Sequence, residues 1–445
     1  MYKTMKYDLI IKNGFVVLPD CVKQTSIGIK GGKIVSIGEL GSDHTASQYD
    51  ALGKLVFPGG IDVHVHFSDL GAEELENWED GSLAAASGGI TTVADMPIDN
   101  VPATTTKDAF YKKLERIEGN SYVDYLLWGG VTKNNSKQLI PMLEAGATGF
   151  KTFLTEVGRE DMPAPDEKSL REAMEVAARY DVPMMVHAED QEMNTRFENL
   201  YKATKDWNMW SKMHPISGEL KAIQRCIHMA KETGARIHIA HVSLAAAIDA
   251  IWNAKKEGVR ITCETGPHYL LFSEEDYKEK GALLKCTPPV RDAANKEKLW
   301  QYVLEGRIDM ISSDHSPSES KHKEDSVCDA WAGVSGVQMN LITLLSEGYL
   351  KRGMDLNLIA NMHSLNPARF LGLSDEIGSI EVGKKANIII ANVNTSYIMS
   401  ENDLRTKNKS SVYCQTEFHA SIEKTYLHGS EIVLGSKNGA FIRKG

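Results

Sequence analysis

Apolar positions along the chain fall into two textures. Residues 7–55 hold short alternating runs, YDLIIKNGFVVLPD and SIGIKGGKIVSIGEL, broken by Asn-Gly and Gly-Gly. Alternation buries one face of a strand, and glycine supplies the positive φ of a tight turn, so this stretch predicts hairpins. The same texture returns in ANIIIANV (386–393) and FHASIEKTYLHGSEIVLG (418–435). Between them lie eight short apolar runs: KLVFPGGIDVHVHF, ITTVADM, YVDYLLWGG, ATGFKTFL, VPMMVHAED, RIHIAHVS, VRITCETGPHYL and IDMISSDHSP. Stretches of helical period separate several of them, among them 167–181, 218–234 and 295–306. Strands alternating with helices predict an α/β fold, a (β/α)8 TIM barrel over 56–375. Residues 1–55 and 376–445 then form one small β-sandwich domain built from both chain ends.

Composition narrows the function class. With 42% hydrophobic and 25% charged residues, the 445-residue chain has the make-up of a soluble globular protein. The net charge of −10, with no basic run, excludes nucleic acid as a partner and favours a small neutral or modestly charged substrate. The opening MYKTMKYDLI lacks the apolar core of a secretory signal and no stretch approaches about 18 apolar residues, so a cytoplasmic protein without membrane partners is expected. Cys21, Cys226, Cys263, Cys286, Cys328 and Cys414 form no C-x-x-C pair, which reads as reduced thiols and not a disulfide frame or thiolate metal site.

A barrel carries its active site at the C-terminal ends of its strands. The polar residues closing the apolar runs are His64 and His66 in the first, Lys151 in the fourth, His187 in the fifth, His241 in the sixth and Asp314 in the eighth. An i, i+2 histidine pair on a strand points both imidazoles to one side. A lone histidine at a strand end is usually a hydrogen-bonded structural residue, but six such residues at successive strand ends read jointly as a metal site. Histidine and carboxylate without thiolate suit zinc or another borderline divalent ion. Lys151 fits such a site as a carbamate bridging two ions; its alternative is a structural buried lysine, costly without an acidic partner.

H-x-H on the first strand, Lys on the fourth, His on the fifth and sixth and Asp on the eighth resembles the amidohydrolase superfamily. Within it the whole chain, from about residue 7 to VGKKANIII, resembles the cyclic amidases: dihydroorotases, hydantoinases and allantoinases. The resemblance implies two divalent metals, zinc first among them. His64 and His66 hold the more buried ion, His187 and His241 the more exposed one, and N6-carboxylated Lys151 bridges them. Asp314 binds the first ion and shuttles the proton of a metal-bridged hydroxide. His238, His268 and His315 fill non-ligand positions. Relatives of this kind are typically dimers or tetramers, so a homo-oligomer is expected.

The substrate ring is narrowed by departures from these families. Dihydroorotases carry H-x-H-x-R, whose Arg clamps a carboxylate; here HVHFS puts Ser68 in that position. Hydantoinases place a Tyr soon after the strand-four Lys, absent from KTFLTEVG. The segments CETGPHYL, KCTPPVRD, SDHSP and DAWAGVSGVQ together resemble those of allantoinases, which implies ring opening of allantoin to allantoate, with hydantoinase or dihydropyrimidinase activity as the alternative. Thr287, Ala332 and Gly333 then lie where relatives hold the ring amide. Asp99, followed by Asn100, stands where allantoinases commonly have Asn, and counts as a candidate substrate contact beside Ser68. The loop-like KDWNMWSKMHP (205–215) is a candidate lid or subunit contact, or a helix packed on the barrel wall.

Overall fold

The computed structural model describes residues 7–40, 45–324 and 326–443. Strands β1 (Tyr7–Val17), β2 (Val22–Lys30) and β3 (Lys33–Gly38) form an antiparallel meander with Ile11 opposite Ile27 and Ile27 opposite Ile37. On the other edge of β1, β4 (Thr45–Asp50) pairs parallel with its first half and β5 (Leu55–Pro58) with Phe15 and Val16. The apolar run KLVFPGGIDVHVHF therefore divides, its first half joining this sheet. Gly59 makes the passage into the barrel possible, because a Cβ there would stand 2.3 Å from the Thr91 hydroxyl.

Eight parallel strand positions follow: β6 (Gly60–Val65), β7 (Ile90–Asp95), β8 (Asp124–Leu127) continued after Trp128 by β9 (Gly129–Gly130), β10 (Phe150–Phe153), β11 (Met184–His187), β12 (Ile237–Ile239), β13 (Ile261–Thr265) and β14 (Met310–Ile311). Val65 at the end of β6 pairs in parallel with His315 beyond β14, and the His66 N–H donates to the His315 carbonyl at 2.8 Å, closing the ring. Nearly every residue of these strands is buried, as expected where a parallel sheet is covered on both faces. Ile61, Val63, Ala94, Leu126, Met185 and Met310, from five strands, pack in one cluster.

Helices α1 (Trp78–Ser87), α2 (Lys107–Ile117), α3 (Ser136–Ala145), α4 (Glu167–Arg179), α5 (Ile216–Thr233), α6 (Ala245–Lys256) and α7 (Ala293–Leu304) lie between the strands, and α4, α5 and α7 overlie the three segments of helical period. In α4 the buried residues Leu170, Ala173, Met174 and Ala177 repeat at the spacing of one helical face, and Asp166 caps its start by accepting from the Ser169 N–H. The last part of the chain returns to the first sheet: β15 (Ile388–Asn392) pairs antiparallel with β5, β18 (Ser421–Leu427) with β15, and β19 (Ser430–Glu431) with β18, while β16 (Tyr397–Ile398) and β17 (Glu417–Phe418) pair with each other. Both chain ends thus build one eight-stranded sheet beside the barrel. No helix among the described residues is long and apolar enough to cross a membrane.

Candidate metal centre and its cavity

His64 in β6, Lys151 in β10 and His187 at the end of β11 lie on strands; His66, His241 and Asp314 lie just past the ends of β6, β12 and β14. All six are buried or nearly so, and the fold brings them together at one mouth. Ligand atoms of His64, His66 and Asp314 lie within 4.8 Å of one another. Asp314 Oδ1 is 3.1 Å from His64 Nε2 and 3.4 Å from His66 Nε2. His187 Nδ1 and His241 Nε2 face each other at 2.9 Å. Lys151 Nζ is 3.3 Å from His64 Nε2 and 4.7 Å above the Phe153 ring. Asp62, reached by the His64 N–H at 3.1 Å, by the Ser313 N–H at 3.1 Å and by Asn340 at 2.9 Å, ties the end of β14 to β6. Burial pushes its carboxyl up to about 7.

Carboxylates behind the imidazoles determine which nitrogen faces inward. Glu264 Oε1 is 2.5 Å from His64 Nδ1, and Asp99 Oδ2 is 2.8 Å from His66 Nδ1. Glu189 Oε2 is 2.8 Å from His187 Nε2. An ionised carboxylate only accepts, so each of these nitrogens donates outward to its carboxylate and the opposite nitrogen is the one that faces into the site. His241 Nδ1 is buried without a hydrogen-bond partner among the described residues.

The electrostatics suit a cation. Burial, then the neighbouring Lys151, lowers His64 to about 4, and burial holds His241 well below its ordinary value, so both rings are neutral donors of lone pairs. Burial opposes charge on His66, but the hydrogen bonds to Asp314 and Asp99 outweigh it and raise that ring to about 9. Burial likewise works against the Asp314 carboxylate and is overcome by the histidines, which hold it well below the usual range. The proton on His66 occupies the side that a metal ion would take. Burial brings Lys151 down to about 8, and no carboxylate ion pair reaches its Nζ among the described residues. Two of these residues, His241 (φ 34°) and Asp314 (φ 47°), and Asp99 beside them (φ 65°), hold left-handed backbone conformations uncommon for non-glycine residues, the kind of local strain that concentrates at functional sites.

His64, His66, His187, His241 and Asp314 floor a cavity of about 440 Å³. Asp99, Thr287 and Ala332 line it; Ser68 and Gly333 do not. Ser68 is buried, and the Gly333 carbonyl accepts from Lys323 at 2.7 Å. The 205–215 segment folds as two short helical turns, and Trp210 from it lines the cavity while its Nε1 donates to the Cys286 carbonyl at 2.8 Å. His238 shares Glu264 with His64, its Nε2 3.2 Å from Oε2. His315 accepts the Gly336 N–H at 3.1 Å, and His268 packs on Tyr269.

Sequence reasoning missed Glu264 and Glu189. Their only signal was a carboxylate at a strand end: TCETG closes the seventh run, and Glu189 follows His187 by two in HAED. It also missed Lys285, a cation in the cavity wall. That ammonium sits 4.1 Å over Trp210 and donates to the carbonyls of Cys328 at 2.8 Å and Ala330 at 2.5 Å, holding the opposite wall in place.

The chain is also similar to known proteins over nearly its whole length. The chain is 35% identical over 441 residues to an allantoinase of Deinococcus radiodurans, covering 98% of this chain and 97% of that one. It is 38% identical over 430 residues to an allantoinase of Bacillus velezensis, covering 96% and 94%. Among solved structures, L-hydantoinase (dihydropyrimidinase) from Arthrobacter aurescens superposes with a TM-score of 0.95 at 30% identity, covering 98% of this chain and 100% of that one. The model of the amidohydrolase family matches residues 55–430, and on that match and these near full-length relatives the chain belongs to the amidohydrolase family.

Proposed function

We propose that the protein hydrolyses the ring amide of allantoin to allantoate, a step of ureide catabolism. The observation that carries this reading is that a chain alike end to end to allantoinases also gathers His64, His66, His187, His241 and Asp314 on the floor of one cavity, with Lys151 buried against His64. Members of the superfamily use a binuclear metal centre, and the clustered ligand atoms of His64, His66 and Asp314 support a metal here. On this reading His64, His66 and Asp314 hold one ion and His187 and His241 the other. Zinc would suit the donor set, and Lys151, buried beside His64, is the residue that CO₂ would convert to a carbamate able to hold metal.

Divalent ions held there would supply a polarised ring carbonyl and a water acidic enough to lose a proton near neutral pH. Asp314 accepts that proton as oxygen adds to the carbonyl carbon. It returns the proton to the ring nitrogen as the C–N bond breaks. Trp210 and the 328–332 wall held by Lys285 narrow the space around the ring. We further assign the catalytic domain to 56–375, less residues 56–58 of β5 that pair in the terminal sheet, and the small sheet domain to 1–55 with 376–445, in a cytoplasmic homo-oligomer. The likeness to L-hydantoinase favours one second reading, a simpler cyclic ureide as substrate. Steady-state hydrolysis of allantoin, hydantoin, dihydrouracil and dihydroorotate by metal-replete protein decides between them. The proposal expects allantoin to give the highest kcat/KM; preference for hydantoin or dihydrouracil moves the protein to the second reading.

A further inference from the structure

Asp99 stands in a turn after β7 that is fixed from several sides. The buried ammonium of Lys113 on α2 pairs with Asp95 and donates to the Met96 carbonyl at 2.8 Å and to Asn100 Oδ1 at 3.0 Å. Asn100 Nδ2 donates to the Pro102 carbonyl at 2.6 Å, and Arg159 donates to the Asn100 carbonyl at 2.9 Å. The side chain of Asn100 is thereby spent on the turn itself. That of Asp99 points the other way, and its Oδ2 meets His66 Nδ1 at 2.8 Å. Its φ of 65° is a conformation that Gly, Asn and Asp reach most readily.

We propose that Asp99 is a positioning residue for His66: its carboxylate holds the Nδ1 proton, keeps Nε2 facing Asp314 and strengthens that nitrogen as a donor to a divalent cation. The inference rests on the metal-centre reading above and gives Asp99 a task other than substrate contact. Asp99 borders the cavity, but its side chain is only 12% exposed and one of its oxygens is committed to His66. A carboxylate behind a histidine ligand fixes the ring orientation and raises its basicity, and losing one typically weakens metal affinity about 10- to 100-fold.

The test uses Asp99→Asn, which keeps the shape and tolerates the backbone, and Asp99→Gly, which removes the side chain without straining φ. Chelator-stripped protein is titrated with Co²⁺, reading its visible absorption and cobalt per chain, and KM for allantoin is measured at saturating metal. The expected result is one Co²⁺ site weakened about 10-fold or more in both variants, with KM within about twofold of the parent. Two Co²⁺ sites of parental affinity together with a raised KM would make Asp99 a substrate contact and overturn the proposal. A parent chain that takes up no Co²⁺ would instead defeat the metal-centre reading itself, so the two failures are distinguishable.

Discussion

His64 and His66 leave the same strand and each has a carboxylate behind it, Glu264 at 2.5 Å and Asp99 at 2.8 Å. His187 and His241 come from neighbouring strands and only the first is backed, by Glu189 at 2.8 Å, which itself meets His214 at 2.8 Å. His241 relies on its backbone, its N–H reaching Glu264 Oε1 at 3.3 Å and its φ fixed at 34°. In one half of the site both rings are thus backed by a carboxylate, in the other only one ring is, and the second is set by chain path. The difference teaches that the two halves should fail differently: the first half should respond to loss of either backing carboxylate, whereas the second should respond to loss of Glu189 or to changes in the 241–244 turn.

Lys151, whose Nζ lies against His64, is where the comparison breaks altogether. Lys151→Ala should abolish turnover and strip both halves of metal, with short carboxylic acids restoring part of the activity. Normal metal content by elemental analysis would refute the carbamate. Asp314→Asn should keep much of the metal bound while lowering kcat by about 100-fold or more, the usual scale of a lost general acid-base. Parental kcat in that variant would remove Asp314 as the proton carrier.

Smaller effects sharpen the contrast between halves. Glu189→Gln should weaken one metal position about 10-fold and leave the other as it was, read by Co²⁺ titration. Glu264→Gln should disturb both, because Glu264 serves His64 and the His241 backbone together. Equal behaviour of the two variants would erase the asymmetry. Ile389→Ala, in the buried centre of β15, should lower stability by about 2–5 kcal/mol in thermal unfolding and leave kcat of the folded protein unchanged.

Much of this architecture was legible in the chain. A barrel converts the end of an apolar run into a position at the mouth, so His64, His66, Lys151, His187, His241 and Asp314 could be named before any coordinates. Glu264 and Glu189 could not be given partners, because a carboxylate on β13 reaching a histidine on β6 depends on strand order and register. Asp99 and Asn100 are adjacent and chemically alike on paper; a single left-handed φ sends one toward His66 and leaves the other bonded to Lys113. The 205–215 segment shows the same limit. Its two tryptophans look equivalent in sequence, yet Trp210 is buried at the cavity and Trp207 is not. In the terminal sheet, alternation announced strands at both ends, but not that β1 would take β2, β4 and β5 as neighbours.

The most direct test of the whole account is allantoin hydrolysis by chelator-stripped protein, before and after divalent metal is restored, with metal per chain counted on the same samples. The account expects negligible turnover in the stripped protein and recovery that rises as the second ion per chain is bound. Undiminished hydrolysis by metal-free protein, or full metal loading with no hydrolysis of allantoin, would contradict it.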